Sequence, residues 1–110
     1  MDDVINKIIK FRDARDWKQF HNPKDLAISL TLEASELLEN FQWKSSDQAV
    51  DTNFDDIRDE LADVLIYSLM LAHDLGIDVK GAILDKLEKN DKKYPIEKFK
   101  GTSKKYTEAE

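Results

Sequence analysis

The sequence predicts an all-α protein: a four-helix bundle followed by an irregular C-terminal tail. Three observations predict it. Only three glycines and two prolines interrupt the 110 residues, which permits long helices and disfavours a turn-rich β architecture. Apolar residues recur at 3.6-residue spacing in four separate stretches. Within one of them, residues 61–72, the only polar positions are Asp63, Tyr67 and Ser68. A helix apolar nearly all round belongs inside a bundle.

The first helix is expected over about residues 2–17, with Val4, Ile5, Ile8, Ile9 and Phe11 at helical spacing. Residues 16–22 break the pattern and carry Trp17, Phe20 and His21. Asn22-Pro23-Lys24-Asp25 then reads as a helix start, with a capping side chain, Pro at the first helical position and an acid in the first turn. The second helix should run to about Trp43 with Leu26, Leu30, Ala34, Leu37, Leu38 and Phe41 inward. Residues 44–53 are polar and read as a connection with at most a short helical turn. The third helix is expected over about residues 54–75, stopped by Gly76. Asp78 should cap a fourth, with Val79, Ile83, Leu84 and Leu87 inward, ending near Tyr94-Pro95. Residues 1–95 form the helical domain, and residues 96–110 a polar, lysine-rich tail or strap.

Composition narrows the function. A net charge of −6 disfavours broad contact with nucleic acid. Without cysteine there is neither a disulfide framework nor a thiolate metal site, and two histidines are too few for a His-rich one. No apolar run reaches the ~18 residues of a membrane span, and Met1-Asp2-Asp3 has no basic leader character. The expected setting is cytoplasmic, away from membranes.

At ~100° per residue, Glu60, Asp63 and Tyr67 share a stripe roughly 60° wide on the apolar third helix. Glu33 and Glu36, also three apart, border the apolar arc of the second helix. Acids spaced this way are ordinarily just solvated, and Glu39, Asp55, Asp56 and Asp59 fit that description. Asp63, flanked by Leu61, Ala62, Val64, Leu65 and Ile66, does not. Antiparallel packing of the two helices would bring the pairs together. Two like charges ~5 Å apart at an effective dielectric of ~20 repel by roughly 3 kcal/mol. Four converging carboxylates make six such pairs, enough to erode much of a typical ~5–15 kcal/mol stability. Either some are protonated or a divalent cation lies among them. Oxygen-only ligands favour Mg²⁺ or Mn²⁺, ions that commonly bridge to phosphates. A di-iron bundle would want Glu-x-x-His, whereas Glu36 and Asp63 occupy those positions.

Glu33-Ala-Ser-Glu36 followed by Glu60-Leu-Ala-Asp63 resembles the Glu-x-x-Glu and Glu-x-x-Asp signature of the MazG-like all-α nucleoside triphosphate pyrophosphohydrolases. Arg15-Asp16-Trp17-Lys18-Gln19-Phe20-His21, Phe41-Gln42-Trp43-Lys44, Asn90-Asp91-Lys92-Lys93-Tyr94-Pro95 and Lys105-Tyr106-Thr107-Glu108 are similar to its dCTP pyrophosphatase branch. The resemblance implies a helical fold assembled as homodimers or homotetramers. It implies Mg²⁺-dependent cleavage between the α and β phosphates of a nucleoside triphosphate. Glu33, Glu36, Glu60 and Asp63 would hold metal, with Glu36 and Glu60 in the chemistry and Glu36 the candidate base. Trp17 and Trp43 would contact the nucleobase. Tyr67, Lys86, Asn90, Lys93 and Tyr94 would contact sugar and phosphates, and His21 joins the substrate candidates. Lys104, Lys105 and Tyr106 would close over the triphosphate. Leu32 stands where relatives often carry an additional acid, and Lys92 and Lys93 where arginine is common. The competing class is a non-catalytic helical interaction domain whose acid stripe meets a basic partner.

Overall fold

The computed structural model describes residues 1–103, and every regular element among them is helical. They are α1 (Asp2–Ala14), a 3-10 turn (Lys18–Phe20), α2 (Pro23–Glu39), α3 (Ser46–Asp74), α4 (Val79–Lys93) and α5 (Ile96–Phe99). The expected all-α class is therefore observed. Short α5 lies where the sequence suggested only tail, and Lys104, Lys105 and Tyr106 fall outside the described residues. Residues 1–77 form one compact unit, and the described residues that follow belong to a second.

The first two helices stop one turn or so before their apolar periodicity does, each for a local reason. After α1, Asp16 takes a left-handed backbone (φ 54°). Its own N–H then bonds the Asp13 carbonyl, and the Trp17 N–H bonds that of Arg12. This closes the helix as a Schellman-type cap without glycine. After α2, three-residue backbone bonds from Phe41 and Gln42 tighten the chain, and Trp43 is left-handed (φ 64°). The α2 start follows expectation: the Asn22 side chain accepts from the Asp25 N–H at 2.9 Å, with Pro23 at the first position.

The polar run 44–53 departs from the expected loop. It is the first part of α3, begun by a capping box in which the Ser45 hydroxyl accepts from the Gln48 N–H and the Gln48 side chain accepts from the Ser45 N–H. Ala49 is fully buried there. The helix kinks at Asn53 (φ −119°, ψ 20°), whose side-chain amide donates to the Asn40 carbonyl at the end of α2 (2.8 Å). The α3 C-terminus closes on Gly76 in the left-handed region, as expected.

The α2 and α3 helices pack along each other as an antiparallel pair. Asn40 meets Asn53, and seven residues back on α2 and seven onward on α3, Glu33 meets Glu60. Ile8, Leu26, Leu69 and Met70 form the core of this unit. Beside it lies a buried cation, Arg12 (1% exposed), whose guanidinium donates to the Asp74 carboxylate at 2.8 Å. Contrary to the expectation of an enclosed third helix, Leu61 and Leu65 are about half exposed, as are Ile28 and Leu32 on α2 or more so. In the second unit, Ile83, Leu84 and Leu87 of α4 are likewise more than half exposed rather than inward.

Candidate functional site

The α2–α3 register brings carboxylates together. Glu33, Glu36 and Glu60 each offer an oxygen lying within 4.8 Å of the others. Glu33 and Glu60 are partly buried, and one oxygen of each (Oε2) is sealed from solvent without a hydrogen-bond partner. Glu36 is exposed and forms the open side. Among the described residues, no lysine or arginine forms an ion pair with any of them; Arg12 pairs instead with Asp13 and Asp74.

Electrostatics reflects this crowding. Loss of hydration, then a hydrogen bond with Glu36 and the charges of Glu36, Asp63 and Glu60, push the Glu33 carboxyl up to about 7. Glu60 is also raised, first by desolvation and then by the Glu36 and Asp63 charges. The Tyr67 phenol is raised by desolvation and by Glu33, Asp63 and Glu36, so it stands as a neutral hydroxyl beside the acids. Buried oxygens without partners are costly unless a proton or cation meets them. The donor set is all carboxylate, which suits a hard divalent cation.

A pH dependence follows for the cation-free protein. Folded Glu33 keeps its proton to about pH 7, whereas its ordinary value is 4.5. The folded state thus binds more protons between those values. The stabilisation is fully present below the lower value and lost as pH rises through the upper one. Melting midpoints in chelator should fall from about pH 5 to about pH 7.5, and Glu33→Gln should flatten the slope.

Asp63 lies outside the carboxylate trio. It lines a neighbouring cleft of about 340 Å³ between α1, the segment after it, and α3. Trp17, His21 and Tyr67 share that cleft with Ile66 and Met70 of α3 and with Lys7, Ile8 and Phe11 of α1. Phe11 and Trp17 meet edge to face with ring centres 5.7 Å apart, and the Arg15 guanidinium lies 3.7 Å from the Phe11 ring centre. His21 approaches Tyr67 (6.3 Å between rings), and its Nδ1 is buried without a partner. The cleft therefore offers flat apolar faces with a few polar atoms at one side, the usual make-up of a small-molecule site.

The remaining sequence candidates stand elsewhere. Trp43 is 94% exposed on its left-handed backbone and does not line the cleft. Lys86, Asn90 and Lys93 lie on α4 and Tyr94 at its end, within the second unit; Tyr94 packs edge to face on Phe99 at 4.9 Å. Sequence reasoning missed Lys7 and Met70 as cleft residues. It read Phe11 only as part of the apolar period of the first helix, whereas the ring is half exposed and lines the cleft. A cue was available: Phe11 lies four residues before Arg15, the spacing at which a cation covers an aromatic face on one helix.

Comparison with known proteins adds independent information. The sequence profile of the MazG-like family matches residues 28–109. The chain is 35% identical to human dCTP pyrophosphatase 1 over 113 aligned residues, covering 98% of this chain and 66% of that protein. The rat protein of the same name gives 34% identity at the same coverage. The chain thus spans just under two thirds of the length of these curated relatives. A crystal structure of a pyrophosphatase from Archaeoglobus fulgidus superposes with a TM-score of 0.82 at 41% identity, covering 86% of this chain and 92% of that one.

Proposed function

The chain belongs to the MazG-like family, and on that premise we propose that it hydrolyses nucleoside triphosphates to the monophosphate and pyrophosphate. The proposed substrate is dCTP or a related deoxynucleotide, in keeping with the names of the curated relatives. The observation that carries the reading is the carboxylate trio, with two sealed, unpartnered oxygens, beside an aromatic cleft.

In this reading Glu33, Glu36, Glu60 and Asp63 hold Mg²⁺, with Mn²⁺ as a substitute. The bound cation supplies neutralisation of phosphate charge and acidification of water. Glu36, the most open of the trio, accepts the proton of the attacking water as its oxygen bonds to the α-phosphorus, and Glu60 shares the chemistry. The α–β bridging oxygen leaves with pyrophosphate. Trp17 stacks on the base, a contact worth ~1–3 kcal/mol. His21 and Tyr67 supply polar atoms at the cleft's edge.

Lys86, Asn90, Lys93 and Tyr94 are proposed for sugar and phosphates, following the family resemblance. Trp43 is proposed to contact the base from a second copy of the chain. The half-exposed Leu61 and Leu65 support a homodimer or homotetramer that covers α3. No helix among the described residues is long and apolar enough to cross a membrane, and a cytoplasmic setting is proposed.

The test is a panel of deoxy- and ribonucleotides incubated with Mg²⁺ and scored for monophosphate and pyrophosphate. Release of both from dCTP is expected, ceasing in chelator. Binding of Mg²⁺ at 100 times its dissociation constant should add about 2.7 kcal/mol to stability. No hydrolysis, with a melt indifferent to Mg²⁺, would overturn the reading in favour of the interaction domain.

A further inference from the structure

The most deeply buried charge among the described residues lies outside the carboxylate trio and has no part in the chemistry above. The Arg12 side chain is 1% exposed and donates from Nη1 to Asp74 Oδ2 at 2.8 Å, while Asp74 is itself 12% exposed. The Arg12 Nε is buried without a hydrogen bond, with the nearest carboxylate, Asp13, at 3.6 Å. Replacing such a pair by apolar side chains is often neutral or stabilising. What distinguishes the pair is direction: it holds one helix at a fixed place on another.

Neither partner lines the cleft, but helix neighbours of each do. The backbone carbonyl of Arg12 accepts the Trp17 N–H at 3.2 Å, so the cleft's tryptophan hangs from this residue. Phe11, adjacent in sequence, and Ile8, one turn earlier, line the cleft from α1. On α3, Met70 lines it one turn before Asp74. The contact of α1 with α3 is much less extensive than that of α2 with α3, so a single directional bond there has large leverage. We propose that the Arg12–Asp74 ion pair positions the aromatic wall of the cleft, fixing Phe11 and Trp17 opposite Tyr67 and Met70 for stacking of the nucleobase. Arg12 and Asp74 are positioning residues: they set substrate affinity without touching substrate or metal. The inference rests on the reading that the cleft takes the nucleotide.

The test uses the full chain with both positions made apolar, Arg12→Met with Asp74→Leu, so that no lone charge stays buried. The expected result is a folded protein with unchanged kcat and the wild-type Mg²⁺-dependent rise in melting temperature. Its KM should rise about tenfold, as removal of a pure binding contribution does. Trp17 emission, compared between Trp43→Phe alone and Trp43→Phe carrying the double substitution, should shift, and its response to a non-hydrolysed nucleotide analogue should be weaker in the latter. An unchanged KM and unchanged emission would overturn the proposal. So would a loss of kcat together with the Mg²⁺ response, because the pair would then act on the acids. Should the double variant fail to fold, Asp74→Asn is read below its melting temperature for the same split between KM and kcat. Failure of the underlying reading looks different: the wild-type protein itself would then neither bind nor hydrolyse nucleotide.

Discussion

At about pH 8, where folded Glu33 has lost its proton, Glu33→Gln is expected to raise the melting temperature of the cation-free protein while lowering turnover at least ~100-fold. The two effects share one cause. Glutamine keeps the shape and removes a charge that is partly desolvated and faces Glu36, Glu60 and Asp63. One like-charge pair at ~5 Å amounts to roughly 3 kcal/mol at a dielectric of ~20. Water at the open, Glu36 side screens this, leaving a gain of about 1 kcal/mol, or ~4–8 °C for a domain of this size. In the proposed function the same charge holds a cation, so a melt in Mg²⁺ should no longer rise above the melt in chelator. Glu60→Gln should behave alike. Glu39→Gln, on the same helix as Glu33 but exposed and outside the trio, should change neither quantity. Wild-type turnover in Glu33→Gln or Glu60→Gln would remove the trio from the chemistry.

That the trio could be anticipated, and the rest of the cleft only in part, has physical reasons. Spacing of i, i+3 on two helices with apolar faces leaves antiparallel packing few ways to arrange Glu33, Glu36 and Glu60. Asp63 shares the Glu60 stripe but lies about 4.5 Å further along the axis, and its side chain is one methylene shorter. Its place beside Trp17 and Tyr67, rather than in the trio, depends on that reach. The start of α3 was hidden because residues 46–53 lack an apolar period. What stabilises them as helix is local and lateral: the Ser45–Gln48 box and the Asn53 bond to the Asn40 carbonyl. Trp17 and Trp43 look equivalent in sequence, both at helix ends. Only the chain path separates them, and it puts one in the cleft and the other in solvent. The exposed Leu61 and Leu65 mark where the reading of an enclosed third helix fails.

The second large effect is on stability and was not foreseeable from sequence, since the partners stand 62 positions apart. Arg12→Ala should destabilise the protein by about 3–5 kcal/mol, the range for removing one member of a buried ion pair. The loss has two parts. Truncation empties the space of a fully buried long side chain, and it leaves the Asp74 carboxylate, 12% exposed, facing that space without its donor. Asp74→Asn should cost less, because an amide oxygen can still accept from the guanidinium. Arg12→Met with Asp74→Leu should cost least, since neither charge remains to be desolvated. That order separates charge burial from simple packing, which would instead rank the variants by volume removed. Urea unfolding checks it, with midpoints shifting at constant slope. An Arg12→Ala midpoint within 1 kcal/mol of wild type would mean that the guanidinium reaches water in solution, and the clamp between α1 and α3 would have to be abandoned.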